Sequence, residues 1–207
     1  MIITDYSQDY ALIGAGGYAR EVSTQMRMPD IPMFIDDEFW HVNLPKNVLK
    51  LSKFDPDNYQ VVVAIGDLTI RKNLIEKMPS GTKYFTFIDN SANLIDVHNI
   101  KIGKGSIIGP NCILTTNINI GEHSQLNLAS SIGHDCILKE YFTSAPGARV
   151  SGNCEIGNRV YMGTNAVIKE KIKICDDVTI GMGACVVKDI KVPGTYIGVF
   201  AKLLIIK

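Results

Sequence analysis

The sequence predicts an α/β segment followed by an all-β coil of short parallel strands, and three observations carry that expectation. An aliphatic residue recurs at every sixth position through the C-terminal half. Near the N-terminus a short apolar strand runs into a glycine-rich turn and then a helix start. A second strand-turn-helix unit follows before the period begins.

The first unit is YALIGAGGYARE at residues 10–21. Its pattern Gly14-x-Gly16-x-x-Ala19 matches a dinucleotide fingerprint with Ala at the third position, and Asp36, in MFIDD, follows 22 residues after Gly14. Glycines allow a tight turn and close approach of backbone N–H groups to phosphate, and a helix N-terminus favours the anion. The second unit is VVVAIGD at 61–67 with a helix expected over TIRKNLIEKM, 69–78, and KYFTFID at 83–89 reads as a last strand. About 90 residues hold one βαβαβ half of a dinucleotide fold and not both, which favours a mononucleotide or a nucleotide-linked sugar over intact NAD. His41, in EFWHVNLP, reads as a loop residue.

From Ile102 to Val192 every sixth residue is aliphatic across sixteen positions, Ser144 excepted, with no insertion breaking the phase. The next position is often glycine, and the one four along is small or apolar, as at Ser106, Cys112, Ser130 and Cys136. That is the alternation of a short strand with both side chains facing one way, leaving positions two and three after the aliphatic for a corner. Six residues cannot be stable alone, so the segment must coil and stack. His134 and Asp135 fall at such a corner. Neighbouring strand residues point to opposite faces, so the two side chains can cooperate only because the chain turns there. His98 and His123 read as solvated corner residues.

Composition narrows the function. The chain has 207 residues, 22.8 kDa and 46% hydrophobic residues, room for one large domain or two small ones. Lys plus Arg, 21, balance Asp plus Glu, 21, with no basic run, which argues against nucleic acid and anionic membrane as partners and points to a small-molecule substrate. MIITDYSQDY has an early Asp5 and no basic region, unlike a signal peptide, and the apolar runs VVVAI at 61–65 and LLII at 203–206 are too short to span a bilayer. A cytoplasmic protein is expected. Cysteines at 112, 136, 154, 175 and 185 fit neither a zinc motif nor a disulfide framework and read as packing residues, and no metal is expected.

Through IGAGGYAREV, FIDD, AIGDLTIRKNL, IGHDC and GVFAK, nearly the whole chain resembles the hexapeptide-repeat sugar acyltransferases of the PglD and NeuD type. The resemblance implies a Rossmann-like N-terminal half domain over 1–90 and a left-handed parallel β-helix with a C-terminal tail over 91–207, with 18 residues per coil. Its handedness comes from the resemblance alone, because parallel crossovers are overwhelmingly right-handed. With 18 residues per coil, Cys136 stacks on Cys154, and His134 stacks between Thr116 and Gly152, the glycine expected to leave room for a ligand beside the ring. The family acetylates the 4-amino group of nucleotide-linked 4-amino-4,6-dideoxysugars for surface glycans, or O-acetylates sialic acid.

Carried over by resemblance, His134 takes the place of the catalytic base and Asp135 that of the acid orienting it. Gly14, Gly16, Gly17, Asp36, Asp37, Gly66 and Asp67 match the nucleotide-sugar pocket. Gly152, Gly181 and Gly183 match the acetyl-CoA groove, formed between subunits of a homotrimer. Thr143 stands where some relatives carry a second histidine near the thioester, and Met182 stands between two glycines where relatives can have a third. A histidine suits proton removal near neutral pH, and a carboxylate can hold its tautomer. A γ-carbonic-anhydrase-like zinc lyase shares this β-helix but needs three converging histidines, whereas His123 and His134 occupy different hexad positions.

Overall fold

The computed structural model describes residues 9–203, so Asp5 and residues 204–206 of the last apolar run lie outside the described residues. The chain divides into two compact units, Met1–Phe87 and Ile88–Lys207.

The first unit is a five-stranded parallel sheet built from β1 (Asp9–Ile13), β2 (Met33–Ile35), β3 (Val48–Lys50), β4 (Tyr59–Val63) and β5 (Lys83–Tyr84) in the order β3-β2-β1-β4-β5. Ala11 to Ile13 and Val61 to Val63 are wholly buried, as strands covered on both faces must be. Phe34 packs edge-on to Phe54 and Tyr59, each with ring centres 5.4 Å apart. Helix α1 (Gly17–Gln25) buries Ala19 and Val22. Helix α2 (Leu68–Lys77) is capped by Asp67, whose carboxylate accepts Ile70 N–H at 2.9 Å.

Two features of this unit depart from the sequence-based expectation. Two strands beyond the expected βαβαβ, β2 and β3, extend the sheet; a 3-10 turn over Asp37–Phe39 lies between them, and each is too short to carry a period. KYFTFID is not one strand, because its hydrogen-bond partner changes midway: Phe85 N–H donates to Val61 O, whereas Asp89 N–H donates to Ile108 O. It therefore splits into β5 and a separate strand, Phe87–Ile88.

The second unit is a three-faced coil of parallel strands. Face one carries Ile113–Leu114, Ser131–Ile132, Arg149–Val150, Val167–Ile168 and Cys185–Val186; face two carries Ile118–Ile120, Ile137–Leu138, Glu155–Ile156 and Lys173–Ile174; face three carries Ile107–Ile108, Gln125–Leu126, Thr143–Ser144, Tyr161–Met162 and Val178–Ile180. Partners lie 18 apart, as in Ile132↔Val150, Leu138↔Ile156 and Ser144↔Met162. The aliphatics of the period, together with Cys112, Cys136 and Cys154, fill one continuous core. Ser144, the exception, is buried and satisfied by its Oγ–H donating to Ser130 Oγ at 2.9 Å.

The period stops one step sooner than the sequence suggests. Ile190 bridges to Ile174 and is buried, while Val192 is exposed, so the phase holds from Ile102 to Val186 and then shortens by two residues. Past it, Gly194–Ile197 pairs in parallel with Val178–Ile180, and Lys202–Leu203 folds back antiparallel on that strand.

Each corner has a left-handed residue at its second position: Asn111, Asn117, His123, Ala129, Asp135 and so on to Asp177, with Gly105, Gly147 and Gly183 taking the same place. An L-residue costs about 1–2 kcal/mol there, least for Asn and Asp, and six of these corners are Asn or Asp.

Candidate active site

His134 and Asp135 form the corner from face one to face two. Asp135 has φ 58°, and this left-handed step swings its carboxylate back beside the preceding imidazole. His134 Nδ1 lies 2.7 Å from Asp135 Oδ2, and the side chains are 56% and 45% exposed, so the pair opens to solvent. An ionised carboxylate only accepts, so in the neutral ring Nδ1 carries the proton and Nε2 keeps the lone pair. Asn117 Nδ2 donates to Asp135 Oδ1 at 2.6 Å, and Asn153 Nδ2 lies 3.5 Å from His134 Nδ1. The Asn117 hydrogen bond, followed by that from His134, holds the Asp135 carboxyl below the usual carboxylate range. Backbone bonds pin the corner between its neighbours: Asp135 N–H donates to Thr116 O at 3.1 Å and Asn153 N–H to His134 O at 2.7 Å.

Gly152 does not leave a vacancy for a ligand beside the ring. The imidazole itself lies over it: a Cβ at Gly152 would stand 2.5 Å from His134 Nε2 and 2.7 Å from Cε1. The glycine is needed to admit the histidine. His123 also departs from expectation, being buried with its ring stacked on Tyr141 at 5.5 Å; it sits on the edge between faces two and three, away from His134. His98 and His41 are exposed, as expected.

The residues matched to the coenzyme groove do not converge within the chain. Gly152 shares the edge of His134 between faces one and two. Gly181, Met182 and Gly183 lie on the edge between faces three and one, with Met182 81% exposed. Thr143 is buried on face three, its hydroxyl donating to Tyr141 O at 3.2 Å.

In the first unit the matched glycines do converge. β1 and β4 are neighbours at the point where the strand order reverses, and ligands of open α/β sheets bind at the carboxyl ends of such strands. Gly14, Gly16 and Gly17 follow β1, and Gly66 and Asp67 follow β4. Gly14 has φ 111°, and a Cβ there would lie 3.0 Å from Ala64 O; Gly16 and Gly66 border open space. Two of the acids are engaged in the fold: Asp67 caps α2, and Asp37 accepts Ser52 Oγ–H at 2.6 Å and Ser52 N–H at 3.0 Å, bonds that hold its carboxyl low. Asp36 is exposed just beyond β2. Sequence reasoning missed Arg71, which is buried and donates to Ile65 O at 2.9 Å, bracing the turn after β4 from below. Its spacing with Leu74, Ile75 and Met78, the apolar face of α2, was the available signal.

The PglD N-terminal domain family matches residues 9–78. A GDP-perosamine N-acetyltransferase of Escherichia coli O157:H7 is 30% identical over 176 residues, covering 79% of this chain and 79% of the relative. The chain belongs to the PglD-type hexapeptide-repeat sugar acyltransferases. Among solved structures, WeeI from Acinetobacter baumannii AYE superposes with a TM-score of 0.84 at 28% identity, over 95% of this chain and 100% of that one. The acetyltransferase domain of PglB from Neisseria gonorrhoeae FA1090, solved in complex with acetyl coenzyme A, gives 0.83 at 26% identity over 96% and 100%. As a PglD-type protein the chain has an α/β domain followed by a left-handed parallel β-helix. None of the described helices is long and apolar enough to cross a membrane.

Proposed function

We propose that this PglD-type protein is an acetyl-CoA-dependent N-acetyltransferase that acetylates the 4-amino group of a nucleotide-linked 4-amino-4,6-dideoxysugar. The observation that carries the reading is the 2.7 Å contact between His134 Nδ1 and Asp135 at an exposed corner, with Nε2 lying over Gly152. The relative named for GDP-perosamine N-acetylation and the PglB domain solved with acetyl coenzyme A support the acceptor and donor classes.

In this mechanism the sugar amine attacks the thioester carbonyl as His134 Nε2 takes a proton from the nitrogen. A C–N bond forms, the C–S bond breaks, and the imidazolium returns the proton to the departing thiolate. Asp135 keeps the Nδ1–H tautomer and stabilises the imidazolium by its charge. The nucleotide diphosphate lies against the turns after β1 and β4, where open glycine backbone and the start of α1 favour an anion. Gly14, Gly16, Gly17 and Gly66 border the diphosphate, Asp36 accepts from the ribose hydroxyls, and Asp37 and Asp67 shape the walls.

A homotrimer in the cytoplasm completes the reading. His134 and the Gly181–Gly183 segment occupy different edges of one prism, so a site that uses both draws them from two copies. The test is mass spectrometry of the protein incubated with acetyl-CoA and UDP-, dTDP- and GDP-linked 4-amino-4,6-dideoxysugars, with free and CMP-linked sialic acid as hydroxyl acceptors. One acetyl mass added to an amino sugar is expected. Transfer only to sialic acid would refute N-acetylation, and transfer to none would refute the acceptor class. His134→Ala is expected to lower kcat by about 10²- to 10⁴-fold.

A further inference from the structure

We propose that Asn117, one coil below the catalytic corner, is a positioning residue for acetyl transfer: its amide fixes the Asp135 carboxylate in the orientation that holds His134. The inference rests on the reading of His134 as the base. Asn117, Asp135 and Asn153 occupy the same corner position on three successive coils, 18 residues apart, and all three are left-handed, with φ 51°, 58° and 60°. Stacking of identical backbone turns brings the Asn117 amide under the Asp135 carboxylate, 2.6 Å from Nδ2 to Oδ1. The opposite oxygen, Oδ2, holds His134 Nδ1 at 2.7 Å.

Both oxygens of Asp135 are thus committed. A carboxylate that is nearly half exposed would otherwise rotate about its terminal torsion and exchange the imidazole for water. With Oδ1 tied to the coil below, rotation breaks a charge-assisted bond, so Oδ2 stays aimed at Nδ1. The amide orientation of Asn117 follows from chemistry, since a carboxylate can only accept and must meet Nδ2 rather than Oδ1. Thr116, the neighbour of Asn117, donates to Asp96 Oδ2 at 2.6 Å, which anchors this lower corner in turn.

Two variants separate positioning from folding. Asn117→Gly keeps the left-handed corner without strain and removes the amide. Asn117→Asp is nearly isosteric but sets a second carboxylate against Asp135. Each is made alone and with Asp135→Ala, and kcat and KM are followed from about pH 5.5 to 9 beside a thermal melt, with His134→Ala as reference. Single variants are expected to lose about 10- to 100-fold in kcat with KM little changed. Asn117→Asp should also move the acid limb of kcat/KM to higher pH, because added negative charge favours the imidazolium. Asp96, His98, Glu170 and Lys171 along the same edge are unchanged in every variant, so they contribute equally to each profile. In the Asp135→Ala background neither substitution should cost anything further. Wild-type kcat and pH profile in the single variants would overturn the proposal, as would an undiminished loss in the Asp135→Ala background. Full activity of His134→Ala would instead remove the reading on which it rests.

Discussion

A hydrogen atom at position 152 decides where His134 Nε2 can be. The His134 ring lies flat over the neighbouring coil because Gly152 presents no Cβ, and the first methyl added there would meet Nε2 at 2.5 Å. Gly152 has no positive φ, so alanine fits the backbone, and the three atoms nearest its methyl all belong to the imidazole. Gly152→Ala is therefore expected to displace the ring and lower kcat by about 10- to 100-fold, since a shift of about 1 Å in a reacting group can cost that much. Circular dichroism and the thermal midpoint should stay close to wild type; unchanged kcat would show that the ring needs no such seat. At this scale sequence reasoning located His134 and Asp135, because their hexad phase put them on a corner. It misread the space beside Gly152, because spacing gives which residues stack but not which way a ring leans. Asn117 escaped for a related reason: an asparagine at a left-handed corner already has a backbone explanation, and its side-chain bond to the coil above leaves no trace in the period.

The corners are the repeating element, and they set both local strain and acid sensitivity. Lys171 is exposed and held at φ 63°, where a lysine gains nothing from its side chain. Lys171→Asn should stabilise the fold by up to about 1 kcal/mol, because asparagine tolerates the left-handed region, whereas β-branched Lys171→Val should cost about 1 kcal/mol or more. Urea titrations of both variants test this, and equal midpoints would sink the argument from strain. Acid sensitivity follows from the carboxylates bonded across coils. Asp176 accepts the side-chain Nδ2–H of Asn158 at 3.0 Å and its backbone N–H at 2.8 Å, and these bonds lower its pKa, the side-chain bond most. A folded pKa below the unfolded value of about 3.9 means the stabilisation is complete above that pH and lost as pH falls through the folded pKa. Asp176→Asn should therefore flatten the loss of urea resistance below about pH 4 while changing its pH dependence little between about 6 and 8. A wild-type acid slope in the variant would refute the assignment. The element scale was the most legible in sequence, because one aliphatic per hexad is a strong periodic signal. It failed where the period was absent: three-residue β3, the split of KYFTFID between two sets of hydrogen-bond partners, and Val192, where the coil shortens and Ile190 fills the core instead.

At the scale of the molecule, the placement of site residues on separate edges makes a prediction that no single-chain arrangement shares. His134 lies on the edge between faces one and two, and Met182 lies on the edge between faces three and one. In a closed ring of three copies with heterologous contacts, each site takes one edge from each of two neighbours. A chain bearing His134→Ala still offers an intact Met182 edge, and a chain bearing Met182→Glu still offers an intact base. Met182 is among the most exposed large apolar residues, so the glutamate falls on the proposed coenzyme groove and not on the core. Co-expressed, the two inactive variants should assemble into mixed rings in which about a quarter of the interfaces pair an unaltered base with an unaltered groove, if mixing is random. Activity near a quarter of wild type is expected from the mixture, with each variant alone close to inactive, and light scattering should report three times the 22.8 kDa chain mass. No recovery in mixed assemblies, with both variants folded and trimeric, would mean that base and groove belong to the same chain or that Met182 borders no groove. A monomer by light scattering would remove the shared site altogether.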